Sequence, residues 1–315
     1  MLEPRSILNM TKNKADKIVL GHNGFFGVDH LSASRGQQRA NYFQKTERIV
    51  EMVQVAHECD VHGMMMSTHA RASEVLELLR KRPALTGSLR IYPLLPYAQK
   101  YVIAANQKGI FNAISDALSG ATGGAKLKML WNGAKGIVGK DLRSILSSLI
   151  QMELLPFKGF ETPFVFLHDA FTDLALALDL KNIFEFYIEE IATNYQAEAA
   201  FTTKNLPLFL EKFGQYGLGT PLVMTHVNAC GFSMNPSREA VEESLSRLPA
   251  RVMAMSTLAS GHLEPDEAFE YLGTVSGIES VVVGASTKEH ILSTVDAIRT
   301  HMFIEETDRR VKIAV

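Results

Sequence analysis

The chain has 315 residues, 46% hydrophobic and 21% charged, a balance that excludes wholesale disorder. Its 32 basic and 34 acidic side chains leave a formal charge of −2, without the basic footprint of a nucleic-acid binder. No apolar run reaches the roughly 18 residues of a membrane span, so neither nucleic acid nor a membrane is expected as a partner. Met1 to Ser6 lacks the apolar core of a signal peptide. Cys59 and Cys230 make no disulfide framework, and a cytoplasmic location is the expectation.

In chain order, the first β-type run is Lys17 to Gly21. Residues 45–59 predict a helix with Ile49, Met52, Val53 and Ala56 on one face. Val61 to Met66 is a second apolar run, and its methionines read as barrel or core filling. A helix at about 73–82 follows. Leu89 to Leu95 and Phe164 to Leu167 are the third and fourth strands, with a helix over 181–195 after them. Glu198 to Phe201 is the fifth, followed by a helix near 205–216, and Leu222 to Thr225 is the sixth. Ser237 then caps a helix with acidic residues in its first turns. Val252 to Met255 precedes a helix at 265–272. Ser280 to Gly284 precedes the last helix, about 287–300.

Strands apolar on both faces belong to a parallel sheet covered by helices. Eight βα units predict a single α/β domain over 1–315, a (β/α)8 TIM barrel. The glycines of Gly21, Gly24 and Gly27 have the wrong spacing for the dinucleotide turn of a doubly wound sheet. The link between strands 3 and 4 is too long for one barrel helix. It carries Ser119 to Gly124 and the stretch from Trp131 to Lys140. A helical insertion of about 109–160 is expected there, as a lid or as a peripheral excursion. The long connection 22–44 after strand 1 is a second candidate lid.

Barrel chemistry sits at the C-terminal strand ends. Four of the ten histidines, His22, His69, His168 and His226, fall there, and Asp169 adds a carboxylate beside one. Imidazole suits acid–base work near neutral pH and also metal ligation. These five residues are the candidate catalytic set. A divalent metal is admitted, although no His-x-His or His-Glu-x-x-His spacing supports it. Lys204 reads as solvated rather than as a Schiff-base lysine, and Cys230 as a buried, inert thiol. Ser256 to Gly261 and Gly284 to Thr287 are small-residue loops after strands 7 and 8. The second opens onto a helix N-terminus, whose free amides and dipole favour an anion. Ser256, Gly261, Gly284, Ser286, Thr287 and Lys288 are the expected phosphate or nucleotide contacts.

Val252-Met-Ala-Met-Ser-Thr-Leu-Ala-Ser-Gly-His-Leu and Ile278-Glu-Ser-Val-Val-Val-Gly-Ala-Ser-Thr-Lys-Glu-His-Ile resemble the C-terminal part of aldo-keto reductases. The helix at 45–59, Gly63 to Thr68, and Ser73-Glu74 are similar to that family's second βα unit. The resemblance implies the barrel and a dinucleotide phosphate site but not aldo-keto reduction itself, and the cofactor is left open between NADP and a divalent metal. Of the family's Asp, Tyr, Lys and His tetrad, only the histidine has a counterpart, His168. The aspartate position falls on Ser67 to His69, the tyrosine near Arg71 or Ala72, and the lysine on Leu94 or Leu95. The leading reading is a barrel enzyme using His/Asp chemistry on a small, phosphate-bearing ligand, as a lyase, isomerase or hydrolase. The second is an NADP-dependent carbonyl reductase with a rebuilt proton donor, His69 or Tyr97. The third is an inactive nucleotide-binding sensor or subunit. A small-molecule substrate and a homo-oligomer complete the expectations.

Overall fold

The structure, a computed structural model, describes residues 13–29, 31–96 and 140–303. Eight parallel strands close into a barrel in sequence order. They are β1 (Ile18–Leu20), β2 (Gly63–Ser67), β3 (Arg90–Leu95), β4 (Phe164–Leu167), β5 (Glu198–Thr202), β6 (Leu222–His226), β7 (Arg251–Met255) and β8 (Ile278–Val283). The expected TIM barrel is the observed fold. Tyr97, the glycines at 119–124 and the stretch from Trp131 to Gly139 lie outside the described residues, as does most of the expected insertion.

The strand period of two divides the core in two. Val19, Met65, Tyr92, Leu94, Phe164, Phe166, Ala200, Met224 and Met253 fill the barrel interior. Their outward-facing neighbours, such as Met64, Met66, Leu95, Val165, Phe201 and Val223, pack under the helices. The three consecutive methionines therefore serve two cores, Met65 inside and its flanking pair outside.

Among the described residues eleven α-helices surround the barrel. They are α1 (Ala33–Tyr42), α2 (Thr46–Glu58), α3 (Ala72–Arg80), α4 (Pro83–Thr86), α5 (Lys140–Leu154), α6 (Asp169–Ala177), α7 (Lys181–Tyr195), α8 (Leu206–Tyr216), α9 (Arg238–Arg247), α10 (Pro265–Thr274) and α11 (Lys288–His301). Eight were expected. The additional segments are α1, within the long connection after β1, the short α4, and α6, directly after β4, while α5 is the described end of the expected helical insertion. Ile150 and Leu154 of α5 are buried, and Glu153 accepts a hydrogen bond from the Thr68 hydroxyl. Ser237 caps α9 as expected, accepting from the Ala240 amide at 3.2 Å. Around α7 and α8, Phe184, Phe201, Phe209 and Phe213 form an aromatic cluster with ring centroids 4.2–5.7 Å apart.

The N-terminal end of the barrel is closed by ion pairs. Arg251 reaches Glu198 at 2.5 Å, Glu279 at 2.8 Å and the Asn13 carbonyl at 2.7 Å. Arg90 pairs with Asp16, whose other oxygen accepts from the Tyr92 hydroxyl at 2.5 Å.

Candidate active site

A cavity of about 1220 Å³ occupies the C-terminal mouth. Its floor is built by the inward-facing residues at the strand ends. Strand pairing sets Ser67 against Leu94, Thr202 against Met224, and His226 against Met255. All six line the cavity.

His22 follows β1 and is buried. Its ring bonds to the Met65 carbonyl, yet its pKa falls to about 4. Burial is the main cause, and the nearby charges of His69 and His168 add to it. His22 is thus a neutral imidazole at neutral pH. His69 does not line the cavity. Its ring stacks on Phe26 at 4.3 Å, and its Nδ1 accepts from the Arg71 amide at 3.2 Å. The chain turns away two residues beyond β2 and sets the His69 ring on Phe26, which in turn meets the His22 ring at 5.7 Å. Burial, then Arg71, lower its pKa as well.

His168 ends β4 and caps α6. Its Nδ1 lies 2.5 Å from Asp169 Oδ1 and 3.2 Å from the Ala170 amide nitrogen. These contacts make opposite demands on one nitrogen. The shorter requires a proton shared between Nδ1 and the carboxylate, and we assign the tautomer on that basis. Nε2 is then the atom available for proton exchange. Asp169 also sits 3.4 Å from Lys204 Nζ. Burial opposes its ionisation, but His168 and Lys204 outweigh that and bring its pKa down to about 2. Lys204 is largely solvated, as expected, and stands on the cavity wall. Asp173 holds this loop by accepting from Thr203 Oγ1 at 2.5 Å and the Lys204 amide at 3.0 Å. Burial raises the Asp173 pKa. His226 is buried at the end of β6 with Nδ1 3.0 Å from Ser256 Oγ.

The far end of the cavity is made by the loops after β7 and β8. Ser256, Ala259, Ser260 and Gly261 all have positive φ, from 44° to 83°, a concentration of strain typical of functional loops. After β8, Gly284, Ala285 and Ser286 line the cavity at the start of α11, where Thr287 accepts from the His290 amide at 3.2 Å. A Cβ on Gly284 would meet no protein atom within 4 Å, so a side chain there would occupy the cavity itself. Of the expected phosphate contacts, Ser256, Gly261, Gly284 and Ser286 line the cavity, while Thr287 and Lys288 do not.

The connection after β1 forms a strap over this end. Asp29 accepts from the Leu31 and Ser32 amides at 3.0 and 2.8 Å and pairs with Arg35 and Arg39. Burial opposes its charge, but these donors hold its carboxyl below the usual range. Arg35 also donates to the Ser260 carbonyl at 3.2 Å, joining strap and β7 loop. Asp29, Arg35, Arg39 and the floor hydroxyls of Ser67 and Thr202 were not among the expected site residues. The strand period would have put both hydroxyls inside the barrel. The length of the connection marks it as a candidate lid, but no local pattern marks Asp29, Arg35 or Arg39 within it.

Cys230 is exposed rather than buried, with Sγ 3.3 Å from Asn228 Oδ1. It lies in the turn after β6, outside the packed core. Among the described residues no group of three or more His, Cys, Asp or Glu could hold a metal ion. No helix among them is long and apolar enough to cross a membrane.

The sequence matches no protein-family model and no curated protein. Solved structures match over nearly the whole chain. A Pseudomonas aeruginosa protein assigned as an aldo-keto reductase has a TM-score of 0.58 at 12% identity, covering 94% of this chain and 96% of its own. An aldo-keto reductase of Bacillus halodurans in its holo form has a TM-score of 0.53 at 9% identity, covering 97% and 94%. One from a deep-sea metagenome library has a TM-score of 0.51 at 11% identity, covering 96% and 92%. Identities this low speak to architecture, and the chain has the (β/α)8 barrel fold of the aldo-keto reductases.

Proposed function

We propose that this protein is a carbonyl reductase that uses a phosphate-bearing nicotinamide dinucleotide, NADP(H), with His168 and Asp169 as its proton-transfer pair. The observation that carries the reading is the continuity of the cavity. At about 1220 Å³ it exceeds the roughly 300–1,000 Å³ of a single-ligand pocket. One end is a polar floor and the other is a small-residue cradle at a helix N-terminus. That arrangement suits an extended dinucleotide together with a small substrate.

The residues present fit such a cofactor. Gly284 leaves open space where a Cβ would intrude, and Ser286 and the start of α11 offer donors to a phosphate. The strained loop from Ser256 to Gly261, tied down by Arg35, would hold the other side. Bound there, the dinucleotide supplies the hydride for a carbonyl carbon. The imidazolium form of His168, protonated on both nitrogens, gives its Nε2 proton to the carbonyl oxygen and is left as the neutral Nδ1–H ring, Asp169 holds that ring through Nδ1, and Lys204 keeps the carboxylate ionised. Ser67 and Leu94 face the cavity in the stretches where the reductase family carries its aspartate and lysine. The proton donor is therefore rebuilt on β4.

NADPH fluorescence tests this directly. Saturable binding with a dissociation constant between about 1 µM and 1 mM is expected, the usual span for enzyme substrates. Gly284→Val should weaken it at least about tenfold by filling the cradle. His168→Ala should retain binding and lower kcat for aldehyde-dependent NADPH oxidation roughly 10²–10⁴-fold. No binding up to millimolar NADPH would overturn the reading.

The Asp169–His168–Lys204 group also favours a second reading, acid–base chemistry on a small phosphate ester without hydride transfer. Tight binding of inorganic phosphate without any NADPH binding would select it.

A further inference from the structure

We propose that Arg35 and Arg39 of the strap form a diphosphate clamp, supplying from the β1 connection the positive charge that the loops after β7 and β8 lack. The inference rests on the reading that a phosphate-bearing ligand lies at this end of the cavity, and it names the residues that neutralise it.

Among the described residues, the lysines and arginines that line the cavity are Arg35, Arg39 and Lys204. Lys204 is paired with Asp169 at 3.4 Å, beside β4. Gly284, Ala285 and Ser286 offer amides and a hydroxyl but no cation, and Lys288 does not line the cavity. Glu264, Asp266 and Asp296, from the elements that follow β7 and β8, line it as well. A phosphate near these carboxylates would be repelled unless a cation stood between them. The strap is where that cation is found.

The two arginines lie at i and i+4 on α1 and so share one face. A single carboxylate holds both. Arg35 Nη2 donates to Asp29 Oδ1 at 3.2 Å, and Arg39 Nη1 donates to Asp29 Oδ2 at 3.1 Å. The Asp29 side chain is 2% exposed, whereas those of Arg35 and Arg39 are 41% and 35% exposed. The acid is sequestered and the arginines remain accessible. Each ion pair uses one nitrogen. Arg35 Nη1 and Arg39 Nη2 have no hydrogen-bond partner among the described residues. Arg35 Nη1 lies 3.8 Å from the point where a Cβ on Gly261 would stand, so this free donor faces the β7 loop.

Two cations against one carboxylate leave a surplus of positive charge. Tethering does not account for it. Arg35 alone joins the strap to the β7 loop, through the Ser260 carbonyl, while Arg39 bonds only to Asp29. A guanidinium presents paired N–H donors that match phosphate oxygens. Two such groups a helical turn apart match two linked phosphates better than one carboxylate. Asp29 holds both in advance, which reduces the side-chain freedom lost on binding.

Inorganic diphosphate and NADPH are the probes, titrated separately into the full-length protein by calorimetry and by fluorescence. Arg39→Gln is the main variant, because Arg39 does not bond to the β7 loop. It should weaken both probes at least about tenfold. It should also flatten the dependence of affinity on salt between about 0.05 and 0.5 M. Arg39→Lys keeps the charge and should recover most of that dependence. A residue that only seats the strap would lower affinity and leave the salt dependence as it is. An unchanged salt dependence in Arg39→Gln would therefore overturn the proposal. So would undiminished diphosphate binding in that variant, or no diphosphate binding by the wild type. If diphosphate binds through Arg39 and NADPH does not bind at all, the clamp stands and the reductase reading fails. If NADPH binds wild type and Arg39→Gln alike, the clamp fails and the reductase reading stands.

Discussion

His22 shows how one residue ties the site to stability. Its pKa is about 4 in the folded chain, against about 6.5 for an unperturbed imidazole. Between those values the unfolded chain binds a proton that the folded chain refuses, so stability falls as the pH drops through this window. At pH 5 the loss attributable to His22 is about 2 kcal/mol relative to neutral pH. His22→Gln should remove that part of the slope, read as urea midpoints at pH 5 and pH 7. An unchanged slope would mean that His22 is charged in the fold. Asp169 is a different case, because its carboxyl titrates near 2. It stays ionised across the working range and gives His168 a constant partner. The stability it contributes is present above the unfolded carboxyl value, about 3.9, and is lost only in stronger acid. Asp169→Asn should therefore change the pH profile of kcat and cost roughly 1–2 kcal/mol in urea unfolding at pH 7.

Among the elements, the strap after β1 rests on a close approach of two glycines. Gly27 has φ +73°, and a Cβ on Gly36 would lie 2.5 Å from the Gly27 carbonyl oxygen. This contact seats α1 so that Arg35 can reach Asp29 and Ser260. Gly36→Ala must push α1 away, at roughly 1–3 kcal/mol, and should weaken NADPH binding although residue 36 does not line the cavity. Equal affinity in the variant would show that the strap is not part of the site. On the opposite side of the barrel, Phe213 of α8 is buried among Phe184, Phe201 and Phe209. Phe213→Ala should cost about 3–5 kcal/mol in denaturant unfolding. The periodicity of residues 205–216 announces this helix. It cannot announce that aromatic rings from β5 and α7 meet it, because those contacts depend on how the layers stack.

For the whole molecule, the two barrel ends divide the labour. At the N-terminal end Arg251 joins Glu198 of β5, Glu279 of β8 and Asn13. Burial opposes the Glu279 charge, but Arg251 holds its carboxyl below the ordinary value. The stability from that pair is present above the unfolded carboxyl value, about 4.3, and is lost as pH falls through the lower folded one. This acid loss begins where the His22 loss is nearly complete, so the two separate on a pH axis. Arg251→Ala should cost about 3 kcal/mol by leaving two half-buried carboxylates without their cation, with NADPH affinity unchanged. A variant as stable as wild type would show that closure does not depend on these pairs.

How much of this was legible follows from the range of each signal. The alternation of apolar runs with amphipathic helices is local, and it determined the eight-stranded barrel, the Ser237 cap and the small-residue loops after β7 and β8. Position at a strand end was enough to bring His22, His168, Asp169 and His226 to one mouth. It failed for His69, because the direction a loop takes beyond its strand is settled by what it packs against, here Phe26. It also passed over Ser67 and Thr202, since a hydroxyl becomes informative only when its partners can be counted. Tertiary structure alone decided that these two share a floor, that Arg35 reaches Ser260 across 225 positions of sequence, and that one cavity of about 1220 Å³ joins the strand ends to the loops after β7 and β8. Barrel closure sets those distances, and no residue carries a local record of its neighbours on the far side.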